Sequence, residues 1–484
     1  MNKLSLNKLN LSVPVKELLN YLSNCNFEAY LIGGFVRDLV LNKSSFDLDF
    51  LIVDKNPVEI GKELADKFDG HSFLLDKETQ TTRVVLSDES AKDYTFDFTS
   101  AIKSKIEDDF LRRDFTINAL AINLKEPDKL IDKFSGLSDL KEKKIKAIKT
   151  ENLLEDPLRF LRAFRFAAII EGEVEEKTLS FIAANLNSFN EQVSNERISV
   201  ELWKMLDSDS SYKYVRKMAD IGLLEKILPE LTPCRKVTPN DHHHLWLFDH
   251  SIELIKTFEE HFYRIPDWAK DELNKPFGNL PSPTKKAVTK LAALLHDIGK
   301  PATWEIKEIN GNEKHTFYGH DKLGAEITKN LGERLKFSNS IIDFLSKLVH
   351  YHLRPFQLSQ GNAPITDRAL YRFFRDLGED MPGLLMLAFS DLYATVGPKI
   401  TKEDLLNGEK LLLFLFEKYK EYIDIKKEEA KKPKLLDGNE IMQLTGMKAS
   451  KQLGDIIKEL DEAIGVGEVK TKDEAQNWIK QRYK

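Results

Sequence analysis

The sequence predicts an α+β head followed by a long, almost wholly helical remainder. Three observations carry this: short strand-like runs alternate with helical stretches through the first 150 residues, such runs nearly vanish from Leu153 onward, and apolar residues then recur at helical spacing. In order, the head runs are EAYLI (28–32), DLDFLIV (47–53), TRVVL (82–86) and YTFDF (94–98), punctuated by Gly, Asp and Ser. The helical patterns are LRFLRAFRFAAII (158–170), LWLFDHSIELI (245–255) and KAVTKLAALLH (286–296). Boundary signals fall at the Lys-rich KEKKIKAIK (141–149), the Pro-containing stretch 229–244 and the charged KKEEAKKPK (426–434). They divide the chain into a head (1–150), a helical neck (151–235), a helical middle (236–400) and a helical tail (401–484).

At 484 residues the chain exceeds what one hydrophobic core sustains, so several domains are expected. Hydrophobic residues at 42% and charged residues at 31% exclude an intrinsically disordered chain. The formal charge of −6 means that a polyanionic partner must meet a local basic surface rather than a global field. Two cysteines, Cys25 and Cys234, exclude a disulfide scaffold and a Cys-rich zinc site and fit a reducing compartment. The start MNKLSLNKLNLSVPVKELL lacks a leader pattern and no apolar run reaches about 18 residues, so the expectation is a cytoplasmic protein with no membrane contact.

The first chemical constellation is LIGGFVRDLVL (31–41), where a strand breaks at Gly33-Gly34 into a helix carrying Arg37, a candidate phosphate cradle. It matches neither a dinucleotide fingerprint nor a P-loop. In DLD (47–49) the i, i+2 spacing on a strand turns Asp47 and Asp49 to one face, where two hard carboxylates suit Mg²⁺. Within RRDFTINALAINL (112–124), Arg113 has a fork suited to phosphate or ribose oxygens and Asp114 can accept a hydroxyl proton. Asp114 and Asn118 are expected at i, i+4 on one helical face. In LEDPLRFLRAFRFAA (154–168), Pro157 fits a first helical turn, and the arginines 159, 162 and 165 form a periodic stripe.

Together GGFVRD (33–38), DLD (47–49), RRDFTINALA (112–121), DKFSGLSDLKEKKIKAI (132–148), EDPLR (155–159) and ERISVEL (196–202) resemble the successive motifs of the class II tRNA nucleotidyltransferase/poly(A) polymerase family. The tail LLDGNEIMQLTGMKASKQLGDIIKEL (435–460) resembles the tRNA-binding tail of long bacterial members, departing from it at Ala449-Ser450-Lys451. The resemblance implies a polymerase-β-like nucleotidyltransferase head, with Asp47 and Asp49 holding Mg²⁺ for two-metal transfer. Asp97 is either a further carboxylate or a structural strand residue. Arg113 and Asp114 are implied contacts to ribose and phosphates, beside Gly33, Gly34, Arg37, Asn118 and Arg162. The Lys-rich segment 141–149 either faces phosphate or is a solvated face.

By the same resemblance Glu155, Asp156 and Arg159 select the base, with Glu155 bracing the arginine. Cytosine and adenine both present an exocyclic amino donor beside a ring-nitrogen acceptor, whereas uracil and guanine present a carbonyl there. A carboxylate facing the amino group and an Arg facing the ring nitrogen therefore accept C and A and reject U and G.

Histidines number eleven, yet ten of them fall between 242 and 352. His250, the doublet His296-Asp297 closing an apolar helix, and Asp391 resemble the HD phosphohydrolase pattern. His320 and either His350 or His352 extend the set to a second metal, and within the triplet His242–His244 only His244 is a candidate. Imidazole and carboxylate ligands suit Mn²⁺, Ni²⁺ or, at lower affinity, Mg²⁺. The expected function is therefore CCA addition to tRNA from CTP and ATP, with an HD phosphohydrolase activity. The alternatives are a poly(A) polymerase of the same family or chiefly a metal phosphohydrolase.

Overall fold

The computed structural model describes residues 13–43, 47–77, 80–87, 93–101, 105–189, 193–238, 245–278, 282–309, 312–359, 364–395, 397, 399–429 and 433–483. Two compact units emerge, one comprising Met1–Met205 with Met218–Lys226 and the other Leu206–Lys217 with Ile227–Lys484. The head (1–150) and most of the neck (151–235) lie in the first, and the middle and tail in the second.

The first unit is built on a seven-stranded sheet: β1 (Glu28–Ile32), β2 (Asp47–Val53), β3 (His71–Asp76), β4 (Thr81–Ser87), β5 (Asp93–Ser100), β6 (Leu120–Asn123) and β7 (Leu130–Asp132). Its order is β3-β4-β5-β2-β1-β6-β7, and β2 with β5 is its one parallel pair. Strands β3, β6 and β7 lie outside the four strand-like runs expected in the head. Alternation along β2 and β5 buries Leu48, Phe50, Phe96 and Phe98 on one face, with Phe50 and Phe98 stacked at 5.0 Å. The opposite face receives Asp47 and Asp49. The helix Pro57–Lys67 starts cleanly because Asn56 accepts from the Val58 amide and Pro57 needs no donor.

The neck helix Leu158–Ile170 buries residues all round its circumference, so it is a core element rather than a solvated stripe. The remainder is not free of strands, contrary to the helical reading. A two-stranded parallel piece joins β8 (Lys144–Ile145) to β9 (Glu173–Val174), tying the neck to the head. In the second unit β10 (Glu305–Ile309) and β11 (Asn312–Thr316) form a hairpin.

The second unit otherwise stacks helices. Leu247–His261, Lys285–Leu295 and the almost wholly buried Met381–Ala394 surround one core, and His320–Arg334 packs on Asn339–Tyr351. Thr284, Ser338 and Thr366 cap their helices with side-chain oxygens. In the tail, Leu436, Ile441, Leu453, Ile456, Leu460 and Ile479 make a separate core cluster. Ser450, within the departure at 449–451, caps the helix Lys451–Gly465 by accepting from the Leu453 amide. Among the described residues no helix is long and apolar enough to cross a membrane.

Candidate active sites

A cleft of about 940 Å³ in the first unit is lined by Gly33, Gly34, Arg37, Asp47, Asp49, Arg113, Asp114, Asn118, Glu155, Asp156, Arg159 and Arg162. All twelve head and neck residues expected at the transfer site therefore lie along one cavity. The parallel β2/β5 register sets Asp49 opposite Asp97 and Asp47 opposite Thr95, whose hydroxyl donates to Asp47. Asp97 thus shares the face of the other two aspartates. Arg83 on β4 grips it with two hydrogen bonds of 2.7 Å. Burial, together with the Asp97 and Asp47 carboxylates and against the pull of Arg113, pushes the Asp49 carboxyl up to about 6. Carboxylates converging on a buried Asp49 in this way are a donor set for a hard divalent cation.

Gly33 lets this acidic wall approach its neighbours. Its φ of +71° lies in the region glycine tolerates, and a Cβ there would stand 3.0 Å from Arg113 Nη1 and 3.3 Å from Asp49 Oδ2.

The facing wall is cationic. The Phe166 ring carries the guanidinium groups of Arg37, Arg162 and Arg165 at 4.9, 5.1 and 3.7 Å from its centroid. Buried carboxylates hold these cations in place: Arg162 donates to Asp114 Oδ2 at 2.8 and 2.7 Å, and Arg165 lies 2.5 Å from Glu201. Burial pulls the Arg165 guanidinium down to about 10, with Glu201 opposing.

Asp114 does not sit on a helical face with Asn118. Residues 116–118 form a single 3₁₀ turn, and Asn118 Nδ2 reaches back to Asp114 Oδ1 at 2.9 Å. The Phe115 amide donates to the same oxygen at 2.8 Å. Both carboxylate oxygens are thus already accepting, so Asp114 anchors Arg162 rather than waiting for a hydroxyl proton. Asn118 Oδ1 in turn accepts from Arg37 at 2.9 Å.

In the base-selection group Glu155 lies 3.8 Å from Arg159, while Arg159 donates to the Asn152 carbonyl at 2.7 Å. Arg197 binds both oxygens of Asp156 at 3.3 and 2.6 Å. Arg165 and Lys204 line the cleft as well, whereas the Lys-rich segment 141–149 contributes no lining residue. Arg83, Phe166, Glu201 and Lys204 escaped the sequence reading. Glu201 had one visible signal, four residues beyond Arg197 in ERISVEL, but nothing local tells a buried carboxylate from a solvated one.

The second unit gathers His250, His296, Asp297, His320, His352 and Asp391 from five elements. Two sets of three ligand atoms, His250/His296/Asp297 and Asp297/His320/His352, each lie within 4.8 Å, sharing Asp297. Asp391 Oδ1 stands 3.3 Å from His250 Nε2 and 3.9 Å from His296 Nε2. The expected His350 is not part of the cluster and packs on Tyr351 instead. Burial at 341, 345, 348 and 349 continues helically to 352, the signal that distinguishes the two histidines. His244 lies outside the described residues.

The imidazoles are pre-set as ligands. Nδ1 of His296, His320 and His352 points at the carbonyls of Ala293, Phe317 and Val349 at 2.7–2.8 Å. A carbonyl can only accept, so each Nδ1 carries a proton and Nε2 is the ring atom left to face the cluster. Buried His296 Nε2 and Asp297 Oδ1 have no hydrogen-bond partner among the described residues, as expected of atoms built to bind a cation. Burial resists ionisation of Asp297, yet His296 and Lys300 hold it well below the usual carboxylate range. Burial also lowers His250 and His352, keeping those rings neutral. Gly299 makes the assembly sterically feasible, since a Cβ there would meet the His320 carbonyl oxygen at 2.2 Å.

Residues 29–146 match the Poly A polymerase head domain, residues 173–235 the probable RNA and SrmB-binding site of polymerase A, and residues 247–383 the HD domain. The chain is 31% identical to the A-adding tRNA nucleotidyltransferase of Deinococcus radiodurans over 93% of its length and 94% of that protein. It is 28% identical to the CC-adding tRNA nucleotidyltransferase of Thermus thermophilus over 93% of each. Its fold is similar to that of the Thermotoga maritima CCA-adding enzyme complexed with tRNA, with a TM-score of 0.60 and 20% identity, covering 97% of this chain and 95% of that one. With three successive domain matches and a relative of this identity along nearly its whole length, the chain belongs to the class II tRNA nucleotidyltransferase and poly(A) polymerase family and carries an HD domain.

Proposed function

We propose that this nucleotidyltransferase adds C, C and A from CTP and ATP to the 3′ end of tRNA without a template, and that its HD unit hydrolyses phosphoesters. The observation carrying the first reading is a single cleft with an aspartate wall on one side and an arginine wall on the other. Asp47 and Asp49 would hold Mg²⁺, with Asp97 alongside. What the ion supplies when bound is a lowered pKa for the attacking 3′-hydroxyl and neutralisation of charge on the α-phosphate and the leaving pyrophosphate. The chain's own residues do the positioning. Arg37, Arg113 and Arg162 face the triphosphate, Asp114 and Asn118 brace two of those arginines, and Asp156 with Arg159 reads the amino and ring-nitrogen edge shared by C and A. In the second unit His250, His296, Asp297, His320, His352 and Asp391 would hold Mn²⁺, Ni²⁺ or Mg²⁺.

A second reading has a specific basis: of the two relatives above, which align along nearly the entire chain, one is an A-adding and the other a CC-adding tRNA nucleotidyltransferase. One assay separates the readings. Purified protein is incubated with tRNA lacking its 3′ CCA and with labelled CTP and ATP, singly and together, alongside Asp49→Ala. Two C followed by one A supports full CCA addition; C,C without A, or A only on a tRNA ending in CC, selects a divided enzyme; long A tracts select a poly(A) polymerase. Incorporation untouched by Asp49→Ala would refute the metal assignment. His296→Ala is expected to abolish metal-dependent phosphoester hydrolysis while transfer persists, and equal loss of both would sink the two-site account.

A further inference from the structure

Six arginines and a single lysine, Lys204, make up the cations that line the transfer cleft among the described residues. Lys204 belongs to the neck helix Asn195–Leu206, which buries Ile198, Leu202, Met205 and Leu206 on its inner face and leaves Lys204 accessible along the cavity. One turn earlier on that helix, Glu201 is already committed, with Arg165 at 2.5 Å and Arg162 at 3.5 Å. Among the described residues the Lys204 ammonium has neither a hydrogen-bond acceptor nor an ion-pair partner, although Arg37, Arg113, Arg159, Arg162 and Arg165 each have one.

Both walls of the cleft act on this ammonium. Partial burial and the Arg165 guanidinium lower its pKa from the ordinary lysine value, Glu201 and Asp47 oppose, and Arg162 adds to the lowering. A residue that feels Asp47 from one wall and Arg162 and Arg165 from the other stands where the two meet. With the α-phosphate at the aspartates and the outer phosphates at the arginines, the oxygen joining them lies at that same junction. Negative charge gathers on this oxygen as the bond to the α-phosphorus breaks. Guanidinium groups balance that charge but do not give up a proton, whereas a lysine ammonium can. We propose that Lys204 is a catalytic residue of nucleotide transfer, the proton donor to the departing pyrophosphate. The tRNA 3′-oxygen bonds to the α-phosphorus, and the electron pair of the breaking bond passes to the bridging oxygen of pyrophosphate. That oxygen takes a proton from Lys204, the proton of the 3′-hydroxyl goes to water, and the amine is reprotonated by solvent. This rests on the reading of the cleft as the transfer site.

The test is rapid-quench measurement of a single nucleotide addition by the full-length protein with Mg²⁺, on tRNA ending before and after CC. It compares wild type, Lys204→Ala and Lys204→Arg. Each receives CTP and ATP, and their β,γ-methylene and β,γ-difluoromethylene analogues, whose leaving groups are respectively the more and the less basic. A positioned proton donor contributes about 10²–10⁴-fold, so Lys204→Ala should slow the chemical step at least 100-fold with the natural nucleotides. Its rate gap between the two analogues should exceed the wild-type gap at least tenfold, because an unprotonated leaving group exposes its own basicity. Lys204→Arg should restore nucleotide affinity but not the rate, since it keeps the charge and not the transferable proton. A Lys204→Arg enzyme as fast as wild type, or an analogue gap in Lys204→Ala equal to that of wild type, overturns the proton-donor role. Wild type that incorporates neither nucleotide on either tRNA overturns the reading of the cleft, and this role with it.

Discussion

Asp114→Asn is the sharpest probe of how the transfer cleft is held together. Asp114 is only 5% exposed and receives four donors: Nε and Nη2 of Arg162, Nδ2 of Asn118 and the Phe115 amide. An asparagine of the same shape offers one acceptor oxygen, so either the Arg162 pair or the Phe115/Asn118 pair must face an amide NH₂. Breaking a fully buried ion pair costs about 3–5 kcal/mol, but the Arg162 side chain is 30% exposed and regains some hydration, which brings the expected cost to about 2–3 kcal/mol. Spread over a unit of about 200 residues, at about 2–4 °C for each kcal/mol, this lowers its melting temperature by about 4–12 °C. The pH dependence supplies a second arm. Burial opposes ionisation of Asp114, yet Arg162 and the other donors leave its pKa below the usual 3.8, so the ionised group stabilises the fold above that value. Wild type loses this contribution as pH falls below about 4 while the variant has nothing to lose, so the gap between them should narrow on acidification. Calorimetry of the full protein from pH 7 to pH 3, with the first unit's transition identified by its shift on adding ATP and Mg²⁺, measures both. Equal melting at pH 7, or a gap that widens toward pH 3, would refute the anchoring role.

Two further outcomes follow from the same geometry. Asp49→Asn should abolish transfer yet stabilise the metal-free protein near pH 8 by about 1–3 kcal/mol, because a carboxyl raised to about 6 penalises the folded state whenever it is ionised; denaturant melts in EDTA should show this advantage fading below pH 6, and a destabilised variant at pH 8 would contradict it. Gly299→Ala, whose Cβ would sit 2.2 Å from the His320 carbonyl oxygen, should prise apart the turn and the helix that share Asp297, weakening metal binding to the second unit at least tenfold in equilibrium dialysis while nucleotide addition is retained. Undiminished metal affinity would show that the turn has room to relax.

The sequence by itself determined whatever depends on short-range pattern. The i, i+2 spacing of Asp47 and Asp49 assigns them one face as soon as the segment is extended, and Gly33-Gly34 marks the break between strand and helix. His296-Asp297 stands at the end of an apolar helix for reasons visible within eleven residues. The tertiary structure decided what depends on register and on which distant faces meet. Asp97 joins the aspartate pair only because β2 runs parallel to β5 with Asp49 opposite it. Glu201 becomes the counter-ion of Arg165 because two neck helices bury that contact, and Asp114 becomes an anchor because a 3₁₀ turn replaces the expected helix. His352 rather than His350 enters the cluster because the inward face of its helix is the one packed against the rest of the unit. Local sequence fixes the direction of a side chain relative to its own backbone, whereas the partner it meets is chosen by the packing of segments tens to hundreds of residues apart.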